Sequence, residues 1–351
     1  MTSRHALAAV FFLGVVGLLA GTSVTDKSPA SGFPIRIESP LPEERFVSGE
    51  PVTLQAAAGP GIDVGSLRWT SSQDGNLGKG QAVRVPKLSP GRHTITVSSS
   101  GGSRDVAVRV FRDLGDFYQA PQSPAERDRV AKDFVFAWVD GKSEDELWQT
   151  YENVGFNQSS PDPGKAVVLA KLDVLRHQDF SQPLPFTNGK SIYDHVRTFV
   201  KRIYVTLGCQ SNTGGHGNIS LNRNFAVWDR RVSGTAGDPE ACKNAQATVK
   251  PGLYSGPLYL FVHEARHSEP GEPGHVQCNG KGNMDGSLEN GSGHAAAALY
   301  LMWVYKYGLY DPPAVKADAK LQAHSLLKTR FCATPSHSNP QVQAIVDEIL
   351  K

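Results

Sequence analysis

The stretch His263-Glu264-Ala265-Arg266-His267 constrains this chain more than any other. Two histidines four residues apart come within about 6 Å of each other on an α-helix. On a strand they would stand about 13 Å apart. The apolar run Leu258-Tyr259-Leu260-Phe261-Val262 leads into the motif and suits a buried helix. Gly252, Ser255, Gly256 and Pro257 precede that run and suit a helix start. The pattern therefore predicts a helix that buries its front half and presents both imidazoles on one face.

Such a face can hold one metal ion, with Glu264 placed to act as general base on a nearby water. The competing reading is a helix that carries two histidines by coincidence, with Glu264 and Arg266 solvated. A catalytic zinc takes three protein ligands and keeps one position open, so a third ligand must come from outside the helix. His275 follows His267 by eight residues, with Gly271 and Gly274 between them to turn the chain. Asp285 and Glu289 are the alternatives, and each needs a longer excursion of an ordered loop.

The five-residue motif resembles that of the zincin metallopeptidases. The resemblance implies Zn2+ at His263 and His267, Glu264 as the catalytic base, and a peptide or protein substrate. It also implies a strand beside the active-site helix, for which Ile219–Asn222 and Phe225–Trp228 are candidates. His275 resembles the returning third histidine of metzincins, although this chain has Pro270 and Pro273 where those enzymes place Gly and His. Glu289 lies 22 residues after His267, near the glutamate position of gluzincins, but its Gly-rich surroundings do not suit the middle of a helix. Asp285 would fit the aspartate-ligand zincins, without their Gly-Thr-x-x-Asp pattern. His275 is preferred, and the other two stay open. His294 and Tyr300 could orient a ligand or stabilise an oxyanion, or could be ordinary helix residues.

The rest of the chain sets the context. Arg4 and His5 precede an apolar run to Ala20 and the small residues Gly21, Thr22 and Ser23, the pattern of a signal peptide. That run is short for a membrane span, and no later stretch is apolar enough for one. With 36 basic against 34 acidic residues, no Lys/Arg block points to nucleic acid. Cys209, Cys242, Cys278 and Cys332 allow three pairings. We expect Cys209–Cys242 and Cys278–Cys332, the second tying the loop after the motif to the C-terminal helices. Secretion, to the periplasm or the cell surface, fits such bridges.

Between Pro34 and Phe111 the apolar period is two, as in Pro51–Ala56, Ser66–Thr70, His93–Val97 and Val106–Val110. Turn signals separate these runs, and the spacing predicts a β-sandwich of about seven strands. Trp69–Gly80 and Leu88–Thr96 resemble bacterial immunoglobulin-like modules, which implies a spacer or a surface-ligand role. Trp69, Leu67, Leu54, Ile95 and Val108 are its expected core, and His93 is expected to be a strand residue.

After that the pattern is mostly helical. Helices are expected over 124–139, 163–175, 191–205, 294–307, 313–328 and 340–350, with a long Gly-rich loop at 268–293. The expected fold is multidomain. A signal peptide (1–23) and linker (24–33) lead into an all-β immunoglobulin-like sandwich (34–112), followed by a mainly helical α+β zincin-like domain (113–351).

The expected function is that of a secreted zinc metallohydrolase, most simply a peptidase. The alternatives are a non-catalytic surface-binding protein with a degenerate zincin-like domain, or a metal-dependent hydrolase of cell-wall amides.

Overall fold

The computed structural model describes residues 35–138, 165–205, 213–215, 218–221, 255–278 and 280–351. The expected signal peptide and linker, Cys209, Cys242 and the run Phe225–Trp228 lie outside the described residues. No helix among the described residues is long and apolar enough to cross a membrane.

The alternating segment forms eight strands: β1 (Ile35–Ser39), β2 (Glu44–Val47), β3 (Val52–Ala58), β4 (Arg68–Ser71), β5 (Gly75–Lys79), β6 (Ala82–Val85), β7 (Gly91–Ser99) and β8 (Gly102–Phe111). They make two sheets, β1-β3-β6 and β2-β8-β7-β4-β5. Pairing is antiparallel except for β2, which runs parallel to β8. Leu54, Leu67, Trp69, Ile95 and Val108 are fully buried between the sheets, as the alternation requires. The indole Nε1 of Trp69 donates to Gly80 O at 2.9 Å, which satisfies its one polar atom. His93 is a buried strand residue, bonded to Ser71 Oγ and Ser89 O.

Two short helices follow, α1 (Leu114–Gln119) and α2 (Pro124–Ala131). Ser123 and Glu126 form a capping box at the start of α2, and Pro124 takes its first position. The expected helix 124–139 stops early, because Val135–Trp138 pairs as strand β9. The chain continues through α3 (Lys165–His177), α4 (Ile192–Phe199) and β10 (Arg202–Val205). Here too the expected helix 191–205 ends short. Val200 turns extended, and Ile203 reaches the core from a strand. The β-branched and aromatic run Ile203-Tyr204-Val205 suits a pleated strand better than a helix.

Strands β11 (Thr213–Gly215) and β12 (Asn218–Leu221) complete a further, four-stranded sheet in the order β11-β12-β10-β9. Strands β9, β10 and β12 are parallel, and the edge strand β11 is antiparallel to β12. Helix α5 (Ser255–His267) carries the motif. It packs between β11 and the later helix α6 (Gly293–Tyr307). The intervening loop is not structureless, since it forms the hairpin β13 (Val276–Cys278) and β14 (Lys281–Met284). Helix α6 is buried from Gly293 to Val304, and its run Ala295–Ala298 presents only small side chains to its neighbours. Helices α7 (Pro313–Thr329) and α8 (Pro340–Leu350) close the chain close to the expected limits. Cys278 and Cys332 are bridged, as expected.

The sandwich is fastened to the helical region by buried charge. Arg45 on β2 reaches both oxygens of Glu126 at 3.0 and 3.1 Å and Asp173 Oδ2 at 2.7 Å. Its remaining donors go to Phe117 O and Ala120 O, and the guanidinium lies 4.3 Å from the Phe117 ring centre. All three charged side chains are about 98% buried or more. Removing one member of such a set leaves an uncompensated buried charge, which typically costs about 3–5 kcal/mol. Val47, also on β2, belongs to the apolar core of the helical region. The sandwich is therefore built into the rest of the protein and is not a loose spacer.

Beside this cluster, His177 Nδ1 bonds Glu50 at 2.9 and 3.1 Å. Burial works to lower the His177 pKa, but the carboxylates of Glu50 and Asp173 outweigh it and hold the imidazole above its ordinary value. A raised histidine stabilises the fold fully below its unfolded value near ~6.5, and that contribution is lost as pH rises through the folded value. NMR titration is expected to give His177 a midpoint above ~6.5, and Glu50→Gln is expected to lower it. A wild-type midpoint below that value would contradict the pairing.

Candidate metal centre

Helix α5 places His263 and His267 side by side, as their spacing requires. The two Nε2 atoms are 3.1 Å apart. His275 returns to the same place, with its Nε2 3.0 Å from that of His267. The donor nitrogens of His263, His267 and His275 all lie within 4.8 Å of one another. The return is made at Gly271 and Gly274, whose φ angles of 78° and 72° are left-handed and favour glycine.

The other ring nitrogens decide what this cluster can do. His275 Nδ1 stands 2.7 Å from Asp285 Oδ1, and His267 Nδ1 stands 3.0 Å from Glu272 Oε1. An ionised carboxylate only accepts, so each Nδ1 carries the proton. Both Nε2 atoms then present lone pairs, and two lone pairs facing each other at 3.0 Å do not make a hydrogen bond. A cation between them resolves the conflict. A proton on either ring would also resolve it, and burial and then the neighbouring His275 push the His267 pKa down. Three nitrogens on a tetrahedral zinc, each about 2.0–2.1 Å from the metal, stand roughly 3.3 Å apart. The His263–His267 and His267–His275 spacings of 3.1 and 3.0 Å are close to that, and the His263–His275 pair lies within 4.8 Å. The donor set therefore fits a divalent metal of the zinc type.

Asp285 is an alternative ligand that the structure uses differently. Its Oδ1 accepts from His275, and its Oδ2 accepts from Ala295 N in the first turn of α6 at 2.8 Å. The N-cap of that helix, Ser292, makes no side-chain cap bond, so the Asp285 carboxylate takes that role. The other alternative, Glu289, is exposed and bonded to the Ser338 backbone and hydroxyl, away from the histidines.

His294 stacks on His275, with ring centres 4.4 Å apart and planes 23° apart, and meets the edge of His263 at 4.7 Å. Burial, and then His275, push its pKa down to about 3. The neutral ring donates through Nε2 to Asn283 O at 3.0 Å. Its one proton is committed there, which leaves Nδ1 a buried lone pair without a hydrogen-bond partner, and His294 forms with His275 and Asp285 a second group of donor atoms within 4.8 Å of one another. Tyr300 packs its ring against Phe180. Its hydroxyl bonds Gln178 Oε1 at 2.7 Å in the core, and burial holds its pKa well above the ordinary value. Arg266 pairs with Glu269, so it has a structural partner. Glu264 is 2% exposed and sits on α5 directly after His263.

Sequence reasoning missed Glu272 and Ser292. Ser292 Oγ bonds Glu272 and lies 3.2 Å from His267 Nδ1. An acidic residue in the turn after the second histidine was the available signal. Gly293 was also missed. A Cβ at this position would meet the His263 imidazole at 2.7 Å.

Comparison with protein-family models and with curated proteins gives no match. Among solved structures, the chain is similar to the Clostridium thermocellum CbhA fibronectin(III)-like modules, at 16% identity and TM-score 0.19, over 22% of this chain and 94% of that one. It is also similar to domains 4 and 5 of the S-layer protein SbsC, at 18% identity and TM-score 0.16, over 22% of this chain and 50% of that one. The titin M3 domain is similar at 19% identity and TM-score 0.16, over 22% of this chain and 97% of that one.

The close approach at Gly293 gives a direct test of the centre. Gly293→Ala is expected to displace the His263 ring and weaken zinc binding by roughly 10-fold or more, as loss of a ligand-orienting partner does. Competition with a chromophoric chelator measures this. Unchanged affinity would show that His263 does not bind the ion.

Proposed function

We propose that this protein is a zinc metallohydrolase of the zincin type that cleaves peptide bonds. The 3.0 Å approach of the His267 and His275 Nε2 atoms, with a carboxylate against each Nδ1, is the observation that carries the reading. His263, His267 and His275 would hold the ion. When bound, zinc supplies a Lewis acid that polarises a carbonyl and lowers the pKa of water toward ~7. The strand that packs most against α5 is the antiparallel edge strand β11, whereas the expected candidate Ile219–Asn222 falls on β12, one strand further in.

Glu264 supplies the proton chemistry. Its carboxylate accepts the proton of the attacking water and returns it to the leaving amine. At 2% exposure the group works in a largely dry site, where its charge acts with little screening. Asp285 and Glu272 hold the two imidazoles in one tautomer and orientation. The bridge Cys278–Cys332 agrees with an exported, oxidising location.

Glu264→Gln keeps the shape and removes the base. The variant is expected to bind one zinc per chain, as the wild type does, and to hydrolyse peptides roughly 10²–10⁴ times more slowly. Metal analysis and a mixed-peptide cleavage assay followed by mass spectrometry read both quantities. An unchanged rate would assign the base elsewhere, and a wild type without zinc would overturn the reading.

A further inference from the structure

The third histidine differs from the first two in how it is held. His263 and His267 ride on a 13-residue helix whose apolar side is fully packed. His275 stands in a loop, just before the short hairpin β13–β14. Val276 and Gln277 beside it are exposed, and among the described residues its ring contacts are those with His263, His267 and His294.

Besides its stacking on His294, two ties hold His275, and both lead to the segment Arg330–Cys332 after α7. The first is covalent, since Cys278, three residues beyond His275, is bridged to Cys332. The second runs through Asp285. Its side chain bonds His275 Nδ1, while its backbone N donates to Arg330 O at 2.8 Å and its backbone O accepts from Cys332 N at 3.0 Å. Asp285 and Phe331 thus form a parallel bridge beside the disulfide. Both cysteines are half-buried, so a small reductant can reach the bridge.

We propose that the Cys278–Cys332 disulfide is a redox clasp for the third metal ligand, and that its reduction weakens metal binding by releasing His275. This rests on the zinc reading given above. The bridge is a positioning element, since neither sulfur is needed as a ligand. Reduction by a phosphine breaks the S–S bond in a balanced step. The phosphine takes the oxygen of one water to become the phosphine oxide, and the two hydrogens of that water end on the two thiols. Cys278 then loses its covalent tie to Cys332, while the backbone bonds of Asp285 to Arg330 and Cys332 remain. The helix-borne pair His263 and His267 keeps its geometry.

The test measures zinc affinity of the full chain by chelator competition in four forms. These are the oxidised wild type, the wild type reduced with a water-soluble phosphine, Cys278→Ala/Cys332→Ala, and His275→Ala with and without the phosphine. Far-UV circular dichroism follows the fold in each. Loss of the clasp is expected to weaken zinc by 10- to 100-fold in the wild type, the range for groups that orient a ligand. In His275→Ala the phosphine is expected to change affinity by less than about twofold, because a clasp acting through His275 has nothing left to position.

A wild-type affinity indifferent to both reduction and the double substitution would overturn the clasp. Equal weakening in the wild type and His275→Ala would also overturn it, by showing a general structural effect. If the oxidised wild type binds no zinc, the zinc reading itself fails and the clasp fails with it. One zinc in the oxidised wild type with no redox effect removes the clasp alone.

Discussion

The carboxylate of Asp285 is the point on which the candidate centre depends. It is completely buried, and such a charge is tolerated only when its hydrogen bonds are made. One oxygen accepts from His275 and the other from the first turn of α6, where the helix dipole favours negative charge. The same residue is zipped by its backbone to the end of α7. One side chain therefore sets the tautomer of His275, starts the helix that packs against α5, and ties both to the C-terminal helices. Glu272 does the equivalent for His267 from the loop immediately after α5. The proposed zinc chemistry follows from these two carboxylates as much as from the histidines, because they fix where the lone pairs point.

Much of this was legible in the sequence. The spacing of His263 and His267 dictated a helix and a shared face. Positive φ at Gly271 and Gly274 was expected from the need to reverse the chain, and it is what returns His275. The alternation before Phe111 located the sandwich and its core around Trp69. The rest depends on contacts that local pattern does not encode. Val135–Trp138 and Arg202–Val205 read as continuations of helices, and they become strands because they pair with each other and with β12. Asp285 was weighed as a ligand because its residue type fits. Only the fold shows that both of its oxygens are already engaged. Tyr300 lies on the apolar helix next to the centre in sequence, but helical rotation turns it toward Gln178.

The sandwich also takes on a different meaning in three dimensions. Its sequence resembles modules that serve as spacers or adhesive units. Its strand β2, however, sends Arg45 and Val47 into the helical region, and its Glu50 reaches His177 on α3. These ties make it a buttress for the scaffold that carries the candidate metal centre. Buried charge of this kind contributes specificity of docking more than net stability, which suits a joint between two parts of one chain.

The central claim is that His263, His267 and His275 together bind one zinc ion. X-ray absorption at the zinc edge of the stoichiometrically loaded, oxidised protein tests it most directly. The account predicts three imidazole nitrogens and one further nitrogen or oxygen donor at about 2.0–2.1 Å, with no sulfur in the coordination sphere. A sulfur scatterer near ~2.3 Å, or a fit with only two imidazoles, would contradict it.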